Sequence, residues 1–144
     1  MKTDIVTDPV ILTQTSGQTT WDEVNGMDLV ATLKEACEGA WTRGCGLAAI
    51  QVGAPIRFAW FRYRGEDCYL INPEIIKRGR NTKPRVEGCL SIPERWFKVE
   101  RSNKIIVRTD GREIICRGKL AQIVQHEIDH MDGKLISDFG REVI

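Results

Sequence analysis

The 144-residue sequence predicts an α+β fold: antiparallel strands packed around a central helix, with one further helix at the N-terminal side. Three observations predict it. A 3.6-residue apolar period runs between Trp21 and Arg43, two alternating stretches fold about short turns at 56–80 and 98–116, and a second helical period runs from Lys119 to Met131. Helices and strands do not alternate regularly, which argues against a doubly wound parallel sheet. The length suits a single domain, 1–144, around one core.

Residues 1–20, including TQTSGQTT at 13–20, are polar and read as a loosely structured arm, with Thr19 or Thr20 able to cap the helix beginning at Trp21. From Trp21 to Arg43, the residues Leu29, Leu33, Ala36, Cys37 and Ala40 recur at threes and fours, giving a core-packing amphipathic helix ended by Gly44. In 56–80 polar and apolar residues alternate about a turn at Arg64 to Asp67. In 98–116 they do so about Asp110-Gly111. The second helix is closed by Gly133.

The 21 basic and 20 acidic residues give a net charge of +1. So even a balance leaves no charge excess to suggest nucleic acid or an anionic membrane as the main partner and points to a small neutral target. No apolar run approaches the roughly 20 residues that span a bilayer, and MKTDIVTDPV lacks the pattern of a signal peptide, so a cytoplasmic protein is expected. Five cysteines scattered without CxxC spacing argue against a disulfide framework or a four-cysteine zinc site.

Both histidines of the chain fall within QHEIDHMDG, residues 125–133. Projected as a helix, Leu120, Ala121, Val124, Ile128 and Met131 form the core stripe, while His126 and His130 lie one turn apart on a neighbouring face. Glu127 projects between the two, a costly place for a carboxylate unless a metal, a water or a donor compensates it. HExxH alone is a weak signal. A catalytic metal needs a third protein ligand and an open position. Only Asp132, Asp138 and Glu142 lie downstream, so an upstream donor is favoured, and Cys89 in EGCLSIP (87–93) is the best candidate. GCGLAAIQVG at 44–53 has the wrong order for a phosphate loop, but its small residues allow close approach of a substrate and Gln51 offers an amide donor.

GCGLAAIQ (44–51), EGCLS (87–91) and QHEIDH (125–130) together resemble, in order and spacing, the three signature motifs of the peptide deformylases. The resemblance implies a divalent metal held by Cys89, His126 and His130 with water in the fourth place: ferrous iron in the cell, with Zn²⁺ or Ni²⁺ able to substitute. It implies Glu127 as general acid/base, and Gln51 with the backbone N–H of Leu90 as oxyanion donors. Gly44, Cys45, Gly46, the peptide groups near Glu87, and Ile123 would hold the substrate. Asp129 would pair with Arg101 to brace the metal-bearing helix. The implied partner is the N-formylmethionyl nascent peptide near the ribosome, taken by a monomer in the cytoplasm, or the host's cytoplasm if the chain is of phage origin, as its compact length resembles.

Two departures stand out. Lys119, Gln122 and Ile123 occupy places that are commonly apolar around the methionine pocket. Arg95 stands beside, and Trp96 at, the place of an arginine that contacts substrate. An HExxH zinc peptidase and an inactive metal-binding homologue remain the alternative readings at this level.

Overall fold

The computed structural model describes residues 4–38 and 46–144. Three short helices come first: α1 (Pro9–Leu12), α2 (Trp21–Gly26) and α3 (Leu29–Glu38). Strand β1 (Gly46–Ala48) runs into a 3₁₀ turn (Ala49–Val52), followed by β2 (Phe58–Tyr63), β3 (Glu66–Ile71), β4 (Glu74–Arg78), β5 (Thr82–Cys89), β6 (Ile92–Ser102), β7 (Lys104–Thr109) and β8 (Arg112–Arg117). Helix α4 (Gly118–Met131), the one-turn α5 (Ile136–Phe139) and β9 (Arg141–Val143) complete the order.

The strands form three antiparallel sheets, ordered β1-β2-β3, β4-β7-β8 and β5-β6-β9. Two of the hairpins have the two-residue turns that the alternation demanded. Arg64 and Gly65 have φ of 51° and 79°, and Asp110 and Gly111 have 52° and 73°, the left-handed values that primed turns require. The 98–116 stretch proves to be split: Lys98–Ser102 finishes β6 and pairs with β5, and only 104–117 form the Asp110-Gly111 hairpin.

Helix α4 sits among the sheets and packs against β1, β8 and β6. Ala121, Val124, Ile128 and Met131 are all buried, against Ala48, Ala59, Leu70, Ile105 and Val107 from several strands and two sheets, while Leu120 is only partly covered. Burying each larger side chain of that stripe contributes roughly 1.5–3 kcal/mol, which holds the neighbouring histidine face in place.

The N-terminal region departs from expectation twice. The single helix from Trp21 is two helices, because Met27 and Asp28 close α2 through N–H bonds to Glu23 and Asn25, and Asp28 takes a φ of 53°. Thr20 caps α2, its hydroxyl accepting from the Glu23 N–H at 3.1 Å. The expected end at Gly44 lies outside the described residues. Nor is the polar arm loose. Val6 donates to the Gln51 carbonyl at 2.7 Å, Ser16 to the Met131 carbonyl at 2.8 Å, Gly17 bridges Ile56, and Leu12 is buried. Gly133 closes α4 at a φ of 73°, and a Cβ there would collide with the Thr13 carbonyl, so this glycine also lets the arm pass. Among the described residues no helix is long and apolar enough to cross a membrane.

Candidate metal centre

Three elements converge on one point. β5 ends in a register shift between Gly88 and Cys89, which re-aims the Cys89 side chain, and α4 presents its two histidines one turn apart. The 3₁₀ turn supplies Gln51. The ligand atoms of Cys89, His126 and His130 all lie within 4.8 Å of one another. Cys89 Sγ is 3.4 Å from His130 Nε2, and the two Nε2 atoms are 3.2 Å apart. A tetrahedral metal with nitrogens at about 2.05 Å and sulfur at about 2.3 Å would separate its donors by about 3.6 Å (S to N) and about 3.3 Å (N to N). The donor set and its spacing therefore fit a Cys₁His₂ metal site.

Electrostatics agree with that fit. Burial alone would push the Cys89 thiol up, but the His130 and His126 imidazoles outweigh it and hold it well below its ordinary value. Burial lowers His126, yet Cys89 and Glu87 raise it well above the usual histidine range. A thiol whose ionised form is favoured by its surroundings is the kind of donor a divalent cation takes. Glu127 is 3% exposed, and its Oε1 has no hydrogen-bond partner among the described residues. Burial lifts its carboxyl above the ordinary carboxylate value, although His126 and His130 pull it down. Gly46 makes room for it: a Cβ there would stand 2.7 Å from Glu127 Oε2.

The orientation of His126 is set from behind. Its Nδ1 meets Glu87 Oε1 at 2.9 Å, which leaves Nε2 for the centre. Arg101 grips Glu87 with two bonds of 2.8 Å and reaches Asp129 Oδ2 at 2.6 Å. The expected Asp129–Arg101 pair is thus present, but as one arm of a larger network. The side chain of Glu87 turns into that network, while the residue itself lines the cavity, where its peptide groups were expected to hold the substrate. Ser91 was also missed. Its hydroxyl accepts from Gln51 Nε2 at 3.0 Å, while Gln51 Oε1 accepts from the Ala48 N–H at 3.0 Å, fixing the amide with its nitrogen toward Cys89 Sγ, 3.6 Å away.

The centre forms the floor of a cavity of about 360 Å³. Gly46, Gln51, Leu90, Ile123, His126 and Glu127 line it, as do Lys119, Gln122, Arg95 and Trp96. Gly44 and Cys45 lie outside the described residues, so nothing places them. His130 is buried beneath the centre.

Glu87 gives a pH prediction. Burial would raise its carboxyl, but the Arg101 guanidinium and His126 bring it down to about 2 from 4.5. A carboxylate depressed in the fold stabilises it above the unfolded value and loses that contribution as pH falls through the folded one. Glu87→Gln should therefore lower the stability of the metal-free chain by roughly 3 kcal/mol at pH 7, with the deficit shrinking from about pH 4.5 toward 2. Urea unfolding across that range measures it; a deficit independent of pH would show that the charge is not what matters.

Comparison with known proteins places this geometry. The family model described as polypeptide deformylase matches residues 3–142. A peptide deformylase of Dictyoglomus thermophilum is 40% identical over 116 residues, covering 77% of this chain and 71% of that protein. The crystal structure of peptide deformylase from Thermotoga maritima superposes with a TM-score of 0.83 at 34% identity, covering 96% of this chain and 97% of that one. That of a probable peptide deformylase from Synechococcus phage S-SSM7 gives 0.83 at 30% identity, over 96% and 99%. With a family match along almost its whole length and relatives at this level of identity, the chain belongs to the polypeptide deformylase family.

Proposed function

We propose that this chain is a metal-dependent amide hydrolase that removes the formyl group from N-formylmethionyl peptides, with Cys89, His126 and His130 as the metal ligands. The observation that carries the reading is the approach of Cys89 Sγ to His130 Nε2 and of the two Nε2 atoms to each other at tetrahedral edge lengths, with all three ligand atoms within 4.8 Å on a cavity floor, beside a buried carboxylate oxygen with no partner among the described residues. A divalent ion bound there supplies Lewis acidity toward water and the formyl carbonyl. We propose ferrous iron in the cell, with Zn²⁺ or Ni²⁺ able to substitute, since a thiolate with two imidazoles accepts all of these and availability decides.

The residues of the chain then divide the work. Glu127 takes the proton from the attacking water and delivers it to the leaving amine, a task suited to a carboxyl held above its usual range. Gln51 has two amide hydrogens. One goes to Ser91, and the other points toward Cys89 Sγ, 3.6 Å away, from where it would turn to the developing oxyanion together with the Leu90 N–H. Glu87 and Arg101 keep His126 in the tautomer that presents Nε2. Gly46 and Ile123 flank the formyl-methionine.

Mass spectrometry after incubation with formyl-Met-Ala-Ser and its unformylated counterpart tests the reading. Loss of the mass of CO from the formylated peptide alone is expected; cleavage within either peptide would instead mark a peptidase. Lys119 and Gln122 on the cavity wall give a second expectation. Polar groups there weaken the rejection of polar side chains, so turnover of formyl-methionyl and formyl-glutaminyl peptides should differ by less than about tenfold in kcat/KM. A methionine preference far above that would contradict it, and would mean that the lysine stem covers the pocket with its charge outside.

A further inference from the structure

The near-zero net charge conceals a segregation of charge. Residues 4–38 carry seven carboxylates and one lysine, whereas between Ile75 and Val86 there are five basic residues and no acidic one. The basic stretch runs from β4 through a turn into β5, and backbone bonds tie that turn to the starts of β7 and α4. Gly79 donates to the Lys104 carbonyl at 2.8 Å, Asn103 to the Asn81 carbonyl at 2.9 Å, and Gly118 to the Asn103 carbonyl at 2.9 Å. The Arg85 guanidinium reaches Asn103 Oδ1 at 3.4 Å. Segments distant in the chain thus bring Arg80, Lys83, Arg85, Lys104, Arg117 and Lys119 around Asn103.

None of these six has a carboxylate within ion-pair reach among the described residues. Arg85 is half-buried and the others are exposed. Lys104 and Arg117 stand directly opposite each other in the β7–β8 register, where like charges repel and destabilise a sheet. The fold gains nothing from cations gathered without counter-ions, and a polyanion would relieve them. Exposed Asn81 and Thr82 stand among them, neutral groups that also bond phosphate and sugar oxygens. Residues 77–85 hold no aromatic residue and no Leu, Ile, Val or Met that could enter a lipid surface. Lys119 also lines the cavity, so a partner lying on the cluster borders the peptide site.

We propose that this surface binds the phosphate backbone of RNA. The choice of RNA over DNA rests on the deformylase reading, because a formylated peptide start belongs to a chain still being made on RNA. The affinity for phosphates stands on the charges alone.

Fluorescence anisotropy of an unstructured, labelled RNA of about 15 nucleotides, titrated with the metal-loaded chain between about 50 and 200 mM salt, tests this. The logarithm of the binding constant should fall with that of the salt concentration at a slope of about −3 to −4, from counter-ions released at about four to six phosphate contacts. Arg80→Gln, Lys83→Gln and Lys104→Gln together should weaken binding at least about tenfold at the lowest salt and flatten the slope by about 2, with kcat/KM on formyl-Met-Ala-Ser unchanged. Exchanging the same residues charge for charge, as Arg80→Lys, Lys83→Arg and Lys104→Arg, should keep the affinity within about threefold, and so should Arg62→Gln, Arg64→Gln and Arg112→Gln together, which remove as many cations elsewhere. No binding at the lowest salt, equal weakening by the two neutralising triples, loss of affinity in the charge-preserving one, tighter binding of the same sequence as DNA, or binding to phosphatidylserine vesicles in preference to RNA would each overturn the proposal. Because the binding assay contains no peptide, failure to deformylate leaves it readable, and failure to bind RNA leaves deformylation standing.

Discussion

Glu127→Ala is expected to keep a full equivalent of metal and lose about 10³-fold in kcat. General acid–base catalysis contributes roughly 10²–10⁴-fold, and no second carboxyl among the described cavity residues is placed to take over. Glu87 is committed to Arg101 and His126, and Glu94 lies on the outer wall. The substitution also removes a buried carboxylate oxygen that has no partner among the described residues, so folding stability should not fall and is expected to rise. Loss of activity with gain of stability is the mark of a group kept for chemistry. Metal analysis, kinetics and thermal unfolding on one preparation measure all three. A variant that keeps full activity would refute the assignment of Glu127.

Cys89→Ser should do the reverse and lose the metal itself. The hydroxyl does not ionise at neutral pH, so the site keeps two imidazoles and loses its anionic ligand. Ligand binding to the folded state stabilises it by about 2.7 kcal/mol at a hundredfold excess over Kd. Added Zn²⁺ should therefore raise the melting temperature of the parent chain and leave that of Cys89→Ser nearly unchanged, with activity falling about 10³-fold or more. Cys68 and Cys116, the other free thiols among the described residues, serve as contrast. Cys116 is buried in the apolar core, where burial pushes its thiol up to about 11, and its replacement should leave metal binding intact.

Periodicity and turn chemistry made part of this molecule legible in the sequence. The α4 stripe, the Arg64-Gly65 and Asp110-Gly111 turns, and the face shared by His126 and His130 arise from local rules, and all three are present. The metal site could be completed because Cys89 stands in a stretch that cannot be helical and carries the motif spacing of a known family.

The unread parts depend on contacts distant in sequence. The arm at 4–20 is polar, yet it is held by backbone bonds from Val6 and Ser16 to the 3₁₀ turn and the end of α4, and composition says nothing of backbone pairing. β5 shows no apolar alternation in TKPRVEGC, so nothing in the sequence marks Glu87 as the one residue of the strand that is buried outright. A buried glutamate is invisible until Arg101, fourteen residues away, is known to face it.

The central claim is that Cys89, His126 and His130 hold the metal through which Glu127 performs deformylation. It is tested most directly by stripping the chain of metal, reconstituting it without oxygen with one equivalent of Fe²⁺ or Zn²⁺, and monitoring release of formate from formyl-Met-Ala-Ser. No activity in the stripped chain, recovery with either ion and more with iron, and no recovery in Cys89→Ser are the results predicted. Formate release by the stripped chain, or recovery in Cys89→Ser equal to that of the parent, would contradict it.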